Sequence, residues 1–414
     1  MNLSIKTRFS IFLGCVLCFV FGMQIVAQQT ASPIISTVNS CGNLQIDEFF
    51  AQQIASDKIN NLYFIKNENL INSVNLVNGN VNWTFDTGGS VFPRLVADDR
   101  YVYVFNSVTK RSVDETAANK VSGDSLVFRA ISQQTGLPVW KTEIEFARGS
   151  NHSDSNKSGW KDTFGSSYLA ETDEAILFGT DSCLGRLDKA SGEIEWKSCI
   201  AANSPIRNFV LNSSKKILGF TDDNHIYLLA TANGDLKLKI PVETKISALA
   251  LIDDSTIVYG DKKGNVRFLG SEGSKTDWAI KCGGEISGIT ISERNLLVSS
   301  LDNFVYLLDG SKGRTIWKKR FPGRIKDRPF LKNDIAVIVG DESNAFFVSV
   351  TDGKTMYRVS LPPEVSYLKP ALFVDEYYFF LTDKGILAYA DESCRKKESQ
   401  KKESGKAPDR SAFD

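Results

Sequence analysis

A chain of 414 residues, 42% hydrophobic and 24% charged, has the composition of a globular protein, not of a disordered or fibrous one. Its 49 basic and 49 acidic residues cancel, so charge gives no ground for a nucleic acid partner. With only two histidines, His152 and His225, any catalytic device that needs an imidazole must use one of them.

The chain opens with a basic pair, Lys6 and Arg8, followed by a mostly apolar run from Phe9 to Ala27. Ile25-Val26-Ala27 places a small residue before Gln28, the pattern of a cleaved export signal over residues 1–27. An uncleaved membrane anchor is the rival reading, since the run approaches the roughly 18 residues needed to span a bilayer. Gly14, Gly22 and Gln24 within the run favour cleavage. Lipidation at Cys15, after Phe12-Leu13-Gly14, is a third reading; too little apolar sequence precedes that cysteine and too much follows it. Cleavage leaves 47 basic residues against 49 acidic ones, a net charge near −2. Residues 28–43 form a lead-in to the first strand.

Gly-x-x-x-Trp then recurs, as Gly79/Trp83, Gly136/Trp140, Gly192/Trp196 and Gly313/Trp317. Gly234/Leu238 and Gly353/Tyr357 keep the spacing with another large apolar residue, and Ser274/Trp278 keeps it without the glycine. The anchors at 83, 140, 196, 238, 278, 317 and 357 lie 57, 56, 42, 40, 39 and 40 residues apart. A repeat of about 40 residues built from short strands is the signature of a β-propeller blade. In the third repeat, Ala175–Thr180 and Leu184–Asp188 read as strands joined by a short turn. Lys189-Ala-Ser-Gly192 turns the chain into a last strand, Glu193–Lys197. Short polar residues four before the glycine (Asn75, Ser132, Asp188, Asp309, Ser349) are suited to bond the turn backbone. The glycine supplies a positive φ, and the Trp is expected to fill the wedge between neighbouring blades.

An eighth set begins at Ala371, with Tyr377–Leu381 and Ile386–Tyr389, but lacks an outer strand. The stretch Leu44 to Ala55 is the natural donor. The expected fold is therefore all-β, a single β-propeller of eight four-stranded blades over 44–394, closed by an N-terminal strand; seven blades with irregular ends is the alternative. Such closure removes free sheet edges. Residues 395–414, nearly devoid of apolar side chains, form a charged tail expected to be disordered.

Two insertions explain the long spacings. One, Ser107 to Ser125, lies between the second and third strands of blade 2; the other, Ala147 to Ser167, leads from blade 2 to blade 3. In an up-and-down propeller both emerge on one face. Their polar composition fits solvated loops, but long loops are where function concentrates. Arg148, His152, Trp160, Lys161 and Phe164 make the second a candidate contact patch.

Five cysteines remain after cleavage: Cys41, Cys183, Cys199, Cys282 and Cys394. Cys183 and Cys199 flank a hairpin turn symmetrically and would face each other across it. Cys41 and Cys394 lie at the two ends that a closed ring brings together. Either pair is a candidate disulfide in an oxidising compartment, with buried free thiols as the alternative; Cys282 is left over. No nucleophile motif surrounds either histidine, no zinc spacing occurs, and the Asp-Lys-Gly turns lack the rest of a calcium loop. No catalytic, cofactor or metal residues are assigned.

Leu187-Asp188-Lys-Ala-Ser-Gly192-Glu-Ile-Glu-Trp196-Lys197 resembles the quinoprotein-type (PQQ-like) propeller repeat, as does Leu308-Asp309-Gly-Ser-Lys-Gly313-Arg-Thr-Ile-Trp317-Lys318. The resemblance runs from about Leu62 to Tyr389. It implies one of two roles. Quinoprotein dehydrogenases hold pyrroloquinoline quinone and calcium; they are longer, and many carry vicinal cysteines absent here. The BamB-type propellers are exported, non-catalytic scaffolds of outer-membrane β-barrel assembly, and length and export signal are similar to theirs. The resemblance thus implies a monomeric, non-enzymatic propeller in the periplasm or at the outer membrane, peripheral to the membrane at most. Its implied partner is an envelope protein such as a β-barrel assembly component. A PQQ-dependent enzyme and an extracellular ligand-binding propeller remain the alternatives.

Overall fold

A computed structural model describes residues 44–47, 54–57, 60–66, 69–76, 79–89, 91–111, 121–146, 168–180, 183–199, 205–270, 276–340, 344–360, 368–374, 376–383 and 385–390. The proposed signal peptide, Cys41, Cys394, the five loop residues from Arg148 to Phe164 and the charged tail lie outside them.

Hairpin chemistry repeated along the chain yields eight antiparallel four-stranded sheets. Blade 1 runs from Ile54–Ser56 to Val81–Asp86, blade 2 from Val91–Ala97 to Pro138–Phe146, and blade 3 from Tyr168–Glu171 to Ile194–Cys199. Blade 4 spans Arg207–Leu211 to Leu236–Pro241, blade 5 Ile246–Leu251 to Thr276–Lys281, blade 6 Ile286–Ser292 to Thr315–Arg320, and blade 7 Phe330–Lys332 to Thr355–Ser360. Blade 8 takes Leu368–Val374, Tyr377–Thr382 and Gly385–Ala390 in order, then borrows Leu44–Asp47 as its outer strand, with Leu44 opposite Ala388 and Asp47 opposite Gly385. The N-terminal strand therefore closes the ring, and the inner strand of blade 8 lies against that of blade 1.

Burial grades outward through each blade. In blade 3, Ala175–Gly179 is buried at every position because neighbouring blades cover both faces of the sheet. The outer strand Ile194–Cys199 instead alternates exposed and half-buried residues, as expected where one face meets the next blade and the other meets water. The apolar cores lie between blades. One joins Leu62, Phe64 and Val74 of blade 1 to Phe379, Leu381 and Ile386 of blade 8, across the closing seam.

The first insertion departs from the loop reading. Residues 107–111 and 121–125 continue the second and third strands of blade 2, with Ser107 opposite Leu126 and Arg111 opposite Val121. The outer strand lengthens with them, and Phe146 pairs with Asp124. Serine, threonine and valine in this stretch sustain the ladder, so blade 2 extends beyond its neighbours as a three-stranded arm. The inner strand of blade 8 likewise starts at Leu368, ahead of the expected Ala371.

Candidate interaction face

The seams define which end of the ring is free to vary. At each Gly-x-x-x-Trp hairpin the glycine N–H donates to the carbonyl four residues earlier: Gly192 to Asp188 at 2.9 Å, Gly136 to Ser132 at 2.8 Å. Gly192 has φ +75° and Gly136 φ +69°, a conformation other residues resist. Asp188 Oδ1 accepts from the backbone of Ala190 and Ser191, which with burial opposing them holds its carboxyl below the usual range.

Each Trp crosses to the turn of the following blade. Its indole N–H donates to the carbonyl three residues before that blade's glycine: Trp83 to Gln133 (2.7 Å), Trp140 to Lys189 (2.9 Å), Trp196 to Thr231 (3.0 Å), Trp278 to Gly310 (3.0 Å) and Trp317 to Val350 (2.8 Å). The ring lies flat on the glycine. A Cβ on Gly136 would stand 2.6 Å from Trp83 Cγ. Leu238 replaces this latch with apolar packing between blades 4 and 5. Tyr357 instead stacks on Phe347 within blade 7, centroids 4.2 Å apart.

The latches all sit at the end of the ring formed by the turns between third and fourth strands. Charge reinforces the same end. Lys189 Nζ, on a side chain 10% exposed, pairs with Asp98 of blade 2 at 3.2 Å and with Glu171 of blade 3 at 3.1 Å. Burial pushes the Asp98 carboxyl up. The N–H groups of Arg100 and Tyr101, the Tyr103 hydroxyl and the Lys189 charge outweigh it and hold it below the usual range.

The blade 2 arm projects at the opposite end, where the outer strand of blade 2 ends at Phe146, opposite Asp124. Tyr168, which opens the inner strand of blade 3, has two ring partners. Arg94 of blade 2 lies over it at 5.7 Å, and Phe209 of blade 4 stacks on it at 5.2 Å with 8° between planes. Burial holds the Arg94 guanidinium below its ordinary value, and the positive charge of Arg328 adds to the effect. Sequence reading missed this trio, because its members lie in three different repeats; only their common place at inner strands could have signalled it. Cys183 and Cys199 pair at this same end of blade 3, directly opposite in register, and are joined by a disulfide with 4.0 Å between Cα atoms. Cys282 is a buried free thiol, pushed up to about 12 by burial and by Asp302.

His225 occupies a blade 4 turn, its N–H bound to Asp222 and its ring tilted against Tyr227. Among the described residues, no three of His, Cys, Asp and Glu come together in a way that could hold a metal ion.

The family model described as "Outer membrane protein assembly factor BamB" matches residues 262–391. No curated protein gives a significant sequence match. Among solved structures, BamB from Moraxella catarrhalis is similar at 12% identity and TM-score 0.57, covering 86% of this chain and 99% of that one. Saccharomyces cerevisiae Sqt1 is similar at 11% identity and TM-score 0.64, covering 87% and 100%. The computationally designed protein Ika8 is similar at 13% identity and TM-score 0.61, covering 83% and 96%. At these identities the likeness is one of fold. The chain is an eight-bladed β-propeller, and its residues 262–391 are similar to the BamB-type repeat family.

Proposed function

We propose that the chain is an exported, non-enzymatic propeller that holds another envelope protein against the end of the ring carrying the blade 2 arm and the 147–167 connection. The family-model match over 262–391 carries this reading. The split between the two ends supports it: one end is consumed by inter-blade latches, and the other gathers long chain excursions beside a cation–aromatic stack. Large aromatic and Arg side chains of this kind dominate protein interfaces. The Cys183–Cys199 disulfide is consistent with an oxidising compartment, as is the apolar leader. A role in outer-membrane β-barrel assembly is the specific form of the proposal.

Its test is cross-linking of the tagged protein in its native envelope, followed by identification of the captured proteins by mass. Recovery of an outer-membrane β-barrel or its assembly machinery, lost when residues 147–167 are deleted, is the expected result. Recovery of the propeller alone would remove the proposal's basis.

A further inference from the structure

The inner strands, which line the axis of the ring, are unbalanced in charge. They carry one carboxylate, Glu171, and it lies at the latched end, bound by Lys189 and Lys215. The same strands carry Arg94, Arg207, Lys332 and Lys369, and Arg328 stands two residues ahead of the strand Phe330–Lys332. Inner strands begin at the end where the blade 2 arm projects: Val91 lies opposite Asn106, and the arm continues from Ser107. Arg94, Arg207, Arg328 and Lys369 therefore fall toward that end, and Lys332 toward the other. Arg207 is engaged by Asp223. Among the described residues no ion pair joins Arg328 or Lys369 to a carboxylate, not even to the neighbouring Asp327.

Backbone irregularities aim part of this set. In blade 2, Phe92 to Arg94 oppose Phe105, since Val91 pairs with Asn106 and Leu95 with Val104. In blade 4, Asn208 and Phe209 oppose Phe220 in the same way, and Asn208 takes φ +52°. Such shifts release side chains from the alternation of the ladder. Arg94 thereby reaches the Tyr168 ring of blade 3, on which Phe209 stacks. Arg328 is fixed from blade 6: a Cβ on Gly288 would stand 2.2 Å from its Cα, and the flanking carbonyls of Asp327 and Pro329 accept from Ser299 and Thr290. The Arg328 side chain is exposed, as is that of Lys369. Blades 2 and 7 are not neighbours, since blades 8 and 1 stand between them. Burial nevertheless has the charge of Arg328 as its ally in holding the Arg94 guanidinium below its ordinary value. The two guanidinium groups therefore address one region across the axis.

We propose that the axial opening bounded by Arg94, Arg328 and Lys369 receives an acidic, extended segment of the envelope partner, with several Asp or Glu side chains. The source of the segment rests on the partner reading above; its chemistry does not. Walls of one charge sign focus their field on the space between them. Cations supplied by blades 2, 7 and 8 match carboxylates spaced along a chain, whereas a single small anion engages only part of the set. The arm extends the blade 2 ladder by the length of Ser107–Arg111, roughly 16 Å. A flat bilayer would meet the arm before the opening, and a narrow chain passes beside it.

The test is fluorescence anisotropy of a labelled glutamate decamer with the full chain, beside a serine–glycine decamer and with citrate as competitor. The expected result is binding of the glutamate peptide alone, weakened by raised salt. R328E/K369E should weaken it roughly tenfold or more, whereas K141E/K237E, on the outer strands of blades 2 and 4, retains it. Circular dichroism confirms folding; should R328E/K369E not fold, R328Q and K369Q are measured separately. Absence of peptide binding, or full binding by folded variants of the opening, would overturn the proposal. So would citrate binding without peptide binding, which would assign the opening to small anions. Cross-linking in the envelope separates this failure from that of the partner reading. Equal capture of a partner by the natural protein and by R328E/K369E overturns the acidic segment alone, and capture by neither overturns the partner reading.

Discussion

Trp140 and Gly192 lie 52 residues apart in sequence and face to face across the seam between blades 2 and 3, so closely that a Cβ on Gly192 would stand 2.5 Å from two carbons of the indole. The same turn that gives Gly192 its φ of +75° presents the Lys189 carbonyl to the indole N–H. One residue type is therefore required twice, for the bend and for the space above it. Gly192→Ala is expected to destabilise the protein by about 2 kcal/mol or more, and Trp140→Ala by roughly 3–5 kcal/mol. The two are not additive: without the indole, the added methyl loses its clash but keeps its backbone strain. Denaturant midpoints of the two single variants and the double variant measure this coupling; strict additivity would contradict the latch.

The disulfide between Cys183 and Cys199 closes a hairpin with a sequence separation of 16. Loops of this size are stabilised by about 3 kcal/mol when cross-linked. Serine at both positions should lower the melting temperature, and reductant should lower that of the natural protein but not of the variant. An identical response of the two proteins to reductant would place the effect elsewhere.

Acid should unfold the ring through its turn aspartates. Asp261 is fully buried. Burial pushes its carboxyl up, but the side chain and backbone N–H of Asn265, the Thr244 hydroxyl and Arg267 outweigh this and hold it below the ordinary value of 3.8. Asp222 behaves alike, bound by Asn224, Tyr227 and His225. A depressed folded value stabilises the protein above the unfolded value, and that contribution is lost as pH falls through the folded one. Stability should accordingly decline as pH drops below about 4, the ordinary carboxylate range. Asp261→Asn should cost about 1–3 kcal/mol at neutral pH and flatten the acid limb. Chemical denaturation across pH reads both; an unchanged acid limb in the variant would refute the assignment.

Cys282 should be inert in the folded state. Its thiol is 2% exposed and raised to about 12, so almost none of the reactive thiolate exists at neutral pH. Alkylation followed by peptide mass analysis should label Cys282 only after denaturation. Rapid labelling of the native protein would mean that the seam between blades 5 and 6 opens.

Much of the fold was legible because hairpin chemistry is local. The spacing of Gly192 and Trp196, the polar residue at Asp188 and the apolar runs between turns announce four strands without reference to the rest of the chain. The missing outer strand of the eighth repeat even pointed to its N-terminal donor. The insertion at 107–125 was less legible. Its serine- and threonine-rich stretches suit a solvated loop and a two-sided exposed ladder equally well, and only pairing with the neighbouring strand distinguished them. The stack of Arg94, Tyr168 and Phe209 was not legible, because its members come from three repeats.

By itself, the sequence determined the repeat, the turns and the residues that anchor them, because each depends on interactions within about 40 residues; the choice of eight blades over seven was decided by the pairing of Leu44–Asp47 with the strand Gly385–Ala390. Tertiary structure alone decided which repeats meet and where. It placed Arg94, Tyr168 and Phe209 in one stack and sent the indoles of Trp83, Trp140, Trp196, Trp278 and Trp317 to the next blade's carbonyl. These relationships arise from closing the ring, which sets side by side residues that no local periodicity connects.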